Sequence, residues 1–297
     1  MNQTEAQRTR EILKQVRLIE IKTRRVVNEL FSGEYHSVFK GRGIEFSEVR
    51  EYQFGDDIRS IDWNVSARLG HPYVKVYQEE RELVVMLMVD LSASGNFGTI
   101  RKPKNEIAAE LSAVLAFSAL NNNDKVGLVL FSDEIELFVP PKKGKSHILR
   151  IVRDLLSFQP KSKGTDIAKA LEYLNKVMKK RAIVFLISDF WADGFDTPLK
   201  IAGARHDFVS VRLTDRREQN LPEGNILSIQ DTETGRKLSL DLKAPGLIEA
   251  YRRSVRKDFN RLKDKLKRFN VDYIEVDTSG EYVNALAAFF HKRARMR

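Results

Sequence analysis

The predicted fold is decided by one stretch of sequence, Leu83-Val84-Val85-Met86-Leu87-Met88-Val89-Asp90-Leu91-Ser92-Ala93-Ser94. Its first seven residues are all apolar and rich in β-branched side chains, which is typical of a parallel strand covered on both faces. Asp90, Ser92 and Ser94 follow at alternate positions, so one loop can turn their oxygens toward one point. Ligand sites of open α/β sheets form beyond the carboxyl ends of strands. The stretch therefore predicts a central strand that ends at an oxygen-rich site.

Strands and helices alternate along the following sequence, which predicts a doubly wound, mostly parallel α/β sheet with helices on both faces. Further strands are predicted at 126–131, 134–139, 182–187, 208–213 and 273–276. The segments at 147–156, 166–179 and 245–269 are predicted to be helical, as are the segments around Leu111 and Leu286.

Three parts of the chain are predicted. Residues 1–31 form a helix, because apolar side chains recur at three- and four-residue steps, and this helix is expected to pack on its own domain rather than on a partner. Residues 32–82, rich in Arg and Asp, read as short strands and loops rather than helices, and are expected to pack on the core. Residues 83–297 form the α/β domain, including a hairpin and charged-helix insertion at 216–270.

Two further loops bring oxygen ligands to the same edge of the predicted sheet. Asp189 follows the strand at 182–187, and Thr165 lies on a loop that opens a helix. With Asp90, Ser92 and Ser94 they supply two carboxylates and three hydroxyls, an oxygen set of the kind that Mg²⁺ prefers. Two carboxylates leave such an ion short of negative charge, so a partner carboxylate could complete its shell. The alternative is that the carboxylates cap strand ends and the serines form turns.

These five residues resemble, in order and type, the metal-ion-dependent adhesion site of von Willebrand factor A domains. In that family the first loop supplies Asp and two Ser, the second Thr and the third Asp. The resemblance implies Mg²⁺ or Mn²⁺ as the bound ion, and a protein ligand that contributes a Glu or Asp.

A second signature precedes this domain. It comprises Gly41-Arg42-Gly43, Glu48–Tyr52, Gly55–Trp63, Ser66–Arg68 and Glu79-Glu80-Arg81. The segment is similar to the bacterial family called domain of unknown function 58, whose members join this motif to a von Willebrand A-like domain. The resemblance covers most of residues 32–215, and implies a partner or adaptor of a MoxR-type AAA+ ATPase in a chaperone-like assembly.

The signature residues can serve as a structural lock or as a docking surface. Arg offers a planar fork that suits carboxylates, so the Arg and Asp side chains can form ion pairs that fix the segment. The alternative is that they dock the ATPase. The residues concerned are Arg50, Tyr52, Gly55, Asp56, Arg59, Asp62, Trp63 and Arg68.

Composition limits location and chemistry. The chain has no cysteine, which excludes disulfides and thiol nucleophiles and suits a reducing cytoplasm. Its N-terminus is polar, and no apolar run approaches the roughly 20 residues of a membrane helix, so a cytoplasmic protein without direct membrane insertion is expected. The net charge is +10, and residues 243–297 carry 14 Lys and Arg against 7 Asp and Glu.

Three functions are therefore weighed. The favoured one is a metal-ion-dependent protein-binding module rather than an enzyme, because no nucleophile or acid–base constellation is recognised. One alternative is a Mg²⁺-dependent hydrolase of the phosphatase or nuclease type, since such an ion can activate water. The other is nucleic-acid binding through the basic tail, which lacks any recognised module and is disfavoured.

Overall fold

The computed structural model describes residues 3–30, 45–78, 83–99, 102–222, 224–230, 235–278 and 282–296. The chain divides into two compact units, Phe39–Leu83 and the remainder, which combines Met1–Val38 with Val84–Arg297. The elements are α1 (Gln3–Leu30), β1 (Glu45–Glu51), α2 (Trp63–Leu69), β2 (Tyr73–Gln78), β3 (Val84–Asp90), α3 (Lys104–Asn121), β4 (Lys125–Phe131), β5 (Ile135–Lys142), α4 (Lys145–Ser157), α5 (Ile167–Val177), β6 (Ile183–Ser188), α6 (Asp196–Arg205), β7 (Asp207–Thr214), α7 (Arg216–Gln219), β8 (Ile226–Gln230), β9 (Lys237–Asp241), α8 (Leu247–Arg268), β10 (Asp272–Asp277) and α9 (Tyr282–Arg295).

A six-stranded sheet organises the larger unit. Its strand order is β10-β7-β6-β3-β4-β5, and every neighbouring pair is parallel except β4 and β5. Strand β5 lies at the edge, where its residues Pro140 and Pro141 need not supply ladder hydrogen bonds on both sides. The predicted doubly wound, mostly parallel α/β sheet is confirmed.

The order of the strands creates a crevice at the centre of this sheet. From β3 the chain adds β4 on one side, and it later adds β6 and β7 on the other. The connections that leave β3 and β6 therefore diverge, and ligands of open α/β sheets bind at such a switch point. Asp90 ends β3, and Asp189 directly follows β6, so both carboxylates stand at the crevice.

Helices cover both faces of the sheet. One face carries α1, α3, α4 and α9, and the other carries α5, α6 and α8 over a cluster of buried apolar side chains. Helix α1 buries Val16, Ile19 and Val27, and its Lys22 ammonium lies 2.9 Å from the Glu110 carboxylate of α3. The expectation that the N-terminal helix packs on its own domain is confirmed. In the described part of the chain, no helix is long and apolar enough to cross a membrane.

The smaller unit contains an antiparallel pair, β1 and β2, and one helix that the sequence analysis did not predict. Helix α2 begins after Asp62, whose carboxylate accepts hydrogen bonds from the backbone N–H groups of Asn64 and Val65. It ends at Gly70, whose φ of 76° is the left-handed conformation that glycine adopts readily. The expectation of strands and loops without helices was wrong here, because these two capping signals outweigh the aromatic and β-branched composition.

Strands β8 and β9 pair antiparallel, which confirms the predicted hairpin. The connection between the two strands falls mostly outside the described residues, since 231–234 are not among them. The signature pieces Gly41-Arg42-Gly43 and Glu79-Glu80-Arg81 also lie outside the described residues.

Candidate metal centre

Asp90 is held at the crevice by hydrogen bonds to its carboxylate. It is 7% exposed, and both of its oxygens accept hydrogen bonds. Oδ1 accepts from the backbone N–H of Ser92 at 2.9 Å, and Oδ2 accepts from the hydroxyl of Ser188 at 2.6 Å. The first bond shapes the loop after β3, and the second ties that loop to the end of β6. The carboxylate is thus oriented before any ligand arrives.

The hydroxyls predicted to join Asp90 lie on the same loop and on the next one. The Oγ atoms of Ser92 and Ser94 are 3.0 Å apart, so the two oxygens face one place. The second loop is tied to the first, because the N–H of Ala93 donates to the carbonyl oxygen of Lys163 at 2.9 Å. Thr165 follows two residues later and is half-buried. The structure therefore brings the first two loops together as the sequence predicts.

Asp189 lies at the third loop and is held by a buried lysine. Its Oδ2 accepts from the Nζ of Lys104 at 3.0 Å, and the same ammonium contacts the Glu218 carboxylate. Lys104 is 1% exposed, at the first position of α3, where the positive end of a helix disfavours a cation. Two carboxylates offset that cost. This ion triad was not predicted.

The backbone after Asp189 is conformationally strained. Phe190 has a φ of 62°, which is unusual for a bulky side chain, and its N–H donates to the Ser188 hydroxyl at 3.0 Å. Such strain persists only where the surrounding contacts hold it, and it often marks binding sites. Here it turns the chain so that Ser188 faces Asp90 while Asp189 faces Lys104.

Burial, and then the negative charge of Asp189, raise the pKa of Asp90 to about 6. The hydrogen bonds from Ser188 and Ser92 favour the ionised form and only partly offset this rise. A buried carboxyl that is costly to ionise beside a second carboxylate is a site that a cation stabilises. The pKa of Asp90 thus indicates where positive charge is lacking.

The donor set fits a hard cation. Asp90, Ser92 and Ser94 offer carboxylate and hydroxyl oxygens at one point, and Thr165 and Asp189 lie on the loops beside it. Mg²⁺ accepts such oxygens and retains several waters. Among the described residues there is no cluster of three or more His, Cys, Asp or Glu placed to hold a metal. Neutral hydroxyls and water would therefore supply most of the shell.

Among the described residues, only some of the charged signature side chains form ion pairs. Arg50 forms a two-pronged ion pair with Asp56, at 2.8 and 2.7 Å, and this lowers the pKa of the Asp56 carboxyl. Arg59 and Arg68 form no ion pair among the described residues and are exposed. The expectation that Arg and Asp side chains pair is confirmed for Arg50 with Asp56.

The remaining signature residues cap a helix, permit a turn or lie at the surface of the same unit. Asp62 caps α2, as described above, and lies 3.5 Å from the ammonium of Lys75. Gly55 has a φ of 108°, a conformation that L side chains rarely adopt, so it permits the turn before Asp56. Tyr52 is half-buried, whereas Trp63 is exposed, as are three further apolar side chains: Phe54, Ile58 and Leu69.

Three residues at the centre were missed by the sequence analysis. Ser188 could have been found, because it ends β6 and the rule that located Asp189 applies to it as well. Lys104 and Glu218 carry no local signal, since they lie 85 and 29 positions from Asp189 along the chain and meet it only in the folded domain. Their pairing depends on the packing of α3 and α7 at the same sheet edge.

The fold is a doubly wound, mostly parallel α/β sheet with an oxygen-rich crevice, and the signature segment precedes it in the sequence. A family model described as "Protein of unknown function DUF58" matches residues 48–261. The chain belongs to this family, and the predicted resemblance is confirmed. The described signature residues from Arg50 to Arg68 lie within the matched span.

Curated relatives and solved structures are similar to this chain. The uncharacterized protein Rv1480 of Mycobacterium tuberculosis is 30% identical over 245 residues, which cover 81% of this chain and 76% of the relative. YeaD of Bacillus subtilis is 24% identical over 184 residues, 62% of this chain and 43% of that protein. BatB from Bacteroides thetaiotaomicron aligns with a TM-score of 0.47 and 20% identity, over 72% of this chain and 99% of that one. The SpRpn10 VWA domain aligns with a TM-score of 0.37 and 12% identity, over 69% and 94%.

Proposed function

We propose that this protein is a metal-ion-dependent protein-binding module, in which Mg²⁺ or Mn²⁺ at Asp90 recruits a carboxylate of a protein partner. The observation that carries the proposal is the preformed Asp90 carboxylate, fixed through both oxygens and placed beside the facing hydroxyls of Ser92 and Ser94. Thr165 and Asp189 complete the proposed set.

Charge supports recruitment of an acidic partner. Lys104 is shared between Asp189 and Glu218, whereas Asp90 forms no ion pair among the described residues, so an incoming dication meets an excess of negative charge at the centre. A bound Mg²⁺ would then keep positive charge toward solvent, and a Glu or Asp of the partner is the simplest group that neutralises it. The metal supplies a Lewis-acidic contact, while the chain's own loops orient it.

The partner proposed from the family resemblance is a MoxR-type AAA+ ATPase, and the signature unit is its proposed docking surface. Phe54 and Trp63 are 105% and 68% exposed, and Ile58 and Leu69 are also exposed. Exposed apolar side chains grouped in one segment are typical of interaction sites, especially beside arginines such as Arg59, which has no ion-pair partner among the described residues. The proposed location is the cytoplasm, which the cysteine-free sequence suits.

Binding of a purified MoxR-type AAA+ ATPase from the same organism tests this proposal. Wild type is expected to bind in Mg²⁺ and to lose binding at least tenfold in EDTA, because the metal bridges the two proteins. Asp90→Ala is expected to bind weakly in both buffers. Surface plasmon resonance with the immobilised protein measures all four combinations.

Asp193→Ala is the matched control, since Asp193 is exposed on the same loop as Asp189 and should bind like wild type. Full binding by Asp90→Ala, or binding by wild type that ignores EDTA, would overturn the metal bridge. Phosphatase and nuclease assays on the same samples separate the proposal from the hydrolase alternative, since activity lost with Asp90 would favour hydrolysis.

A further inference from the structure

A basic cavity lies between the sheet and the charged helix α8, and its residue Arg212 contacts the backbone of the loop that carries Asp189. It has a volume of about 410 Å³ and is lined by three arginines, Arg212, Arg252 and Arg256, together with Phe259, Asn260 and Glu275. This volume is within the range of small-molecule sites. We propose that this cavity binds a phosphate-bearing small molecule.

Arg212 is the central residue of this site, because its guanidinium is buried and has no ion-pair partner among the described residues. The residue is 7% exposed on β7. In the described part of the chain it makes one hydrogen bond, from Nε to the carbonyl oxygen of Asp189 at 3.3 Å, and no ion pair. Glu275 is its register partner on β10, but its carboxylate is more than 4 Å from the guanidinium. Buried charges are normally paired, so an anion is the missing partner.

Aromatic rings hold this guanidinium in place. Its central carbon lies 5.1 Å from the ring centroid of Phe259 and 6.0 Å from that of Trp191. These contacts are within the range of cation–π attraction, and Arg212 is among the residues that line the cavity. The two rings therefore restrict the position of the guanidinium at the cavity before a ligand binds.

Two further arginines face the same space from α8. Arg252 and Arg256 are one turn apart, so they share one face of the helix. Both are exposed, and neither forms an ion pair among the described residues. They also line a smaller adjoining concavity of about 290 Å³, together with Glu249 and Arg253. The cavity thus opens onto a continuous basic surface.

The net charge of the residues that line the cavity indicates which class of ligand fits it. Three guanidinium groups against the single carboxylate of Glu275 leave an excess of two positive charges. A phosphate monoester carries nearly two negative charges at neutral pH, whereas one carboxylate would leave an arginine uncompensated. Arginine forks also match the oxygens of phosphate in two-pronged contacts. A phosphorylated small molecule therefore fits better than a singly charged acid.

Calorimetric titration with inorganic pyrophosphate in metal-free buffer tests the proposal without involving the metal centre. Wild type is expected to bind the probe, and Arg252→Gln/Arg256→Gln is expected to bind at least tenfold more weakly. The matched control is Lys257→Gln/Lys267→Gln, which removes two exposed charges of the same helix outside both cavities and should stay within twofold of wild type. Succinate is expected to bind at least tenfold more weakly than pyrophosphate.

Several outcomes would overturn the proposal. Pyrophosphate that fails to bind wild type excludes the site. Equal losses in the two double variants would mean a general charge effect along α8 rather than a cavity. Succinate that binds as tightly as pyrophosphate would exclude phosphate selectivity, and binding confined to a single-stranded oligonucleotide would assign the surface to nucleic acid instead.

Discussion

In metal-free buffer at pH 7.5, the Asp90→Asn variant is expected to be more stable than wild type by about 3 kcal/mol. The pKa of the Asp90 carboxyl is raised from 3.8 to about 6 by burial and by Asp189, so the native state favours the neutral carboxyl. The stabilisation that the neutral Asp90 carboxyl gives the native state is fully present below pH 3.8 and is lost as the pH rises through about 6. Asparagine has the same shape and no charge, so it avoids this loss.

Urea denaturation of both proteins at several pH values in EDTA measures the difference. The stability gap should be near zero at pH 4 and should widen up to about pH 7. Asp193→Asn, on the exposed part of the third loop, should follow wild type throughout. A difference in the free energy of unfolding that does not change with pH, or a wild type more stable than Asp90→Asn at pH 7.5, would show that ionisation of Asp90 does not destabilise the protein.

Replacing Lys104 with methionine is expected to destabilise the domain by about 3–5 kcal/mol, the usual cost of breaking a buried ion pair from one side. The side chains of Lys104 and Asp189 are 2% and 3% exposed, and the ammonium also contacts Glu218. Methionine fills a similar volume but leaves Asp189 as a buried charge without its counter-ion. Thermal and urea denaturation at pH 7.5 measure the effect.

Lys145→Met is the matched control, because the Lys145 side chain is 50% exposed in its ion pair with Glu20. An exposed pair of this kind contributes less than about 1 kcal/mol. The double variant Lys104→Met/Asp189→Asn should recover part of the loss, since it removes both charges of the pair. A Lys104→Met protein as stable as Lys145→Met would contradict the structural role of the triad.

The sequence predicted the features that depend on short-range patterns. The apolar run before Asp90, the strand before Asp189 and the loop at Thr165 are each recognisable within about ten residues. The carboxyl-end rule for open α/β sheets then brings these separate loops to one edge. The structure confirms the sheet and the contact between the first two loops.

The features that the sequence analysis missed depend on distant residues or on competing local signals. Lys104 and Glu218 are 114 positions apart in the sequence, and no periodic pattern predicts that they form an ion pair. Arg212 could not be singled out from the sequence either. It matters because it is buried on a strand and has no ion-pair partner among the described residues. Helix α2 was different, because the sequence carries its capping residues, Asp62 and Gly70. It was missed because the aromatic composition of the segment was given too much weight.

Asp90 and its neighbours are proposed to hold a divalent cation, and calorimetric titration with Mg²⁺ measures this binding itself. Asp90→Asn is the informative variant, because it is expected to be the more stable protein and cannot lose binding through unfolding. One Mg²⁺ per chain is expected for wild type and for Asp193→Asn, and no detectable binding is expected for Asp90→Asn. Equal Mg²⁺ binding by wild type and Asp90→Asn, or none by wild type at millimolar Mg²⁺, would contradict it.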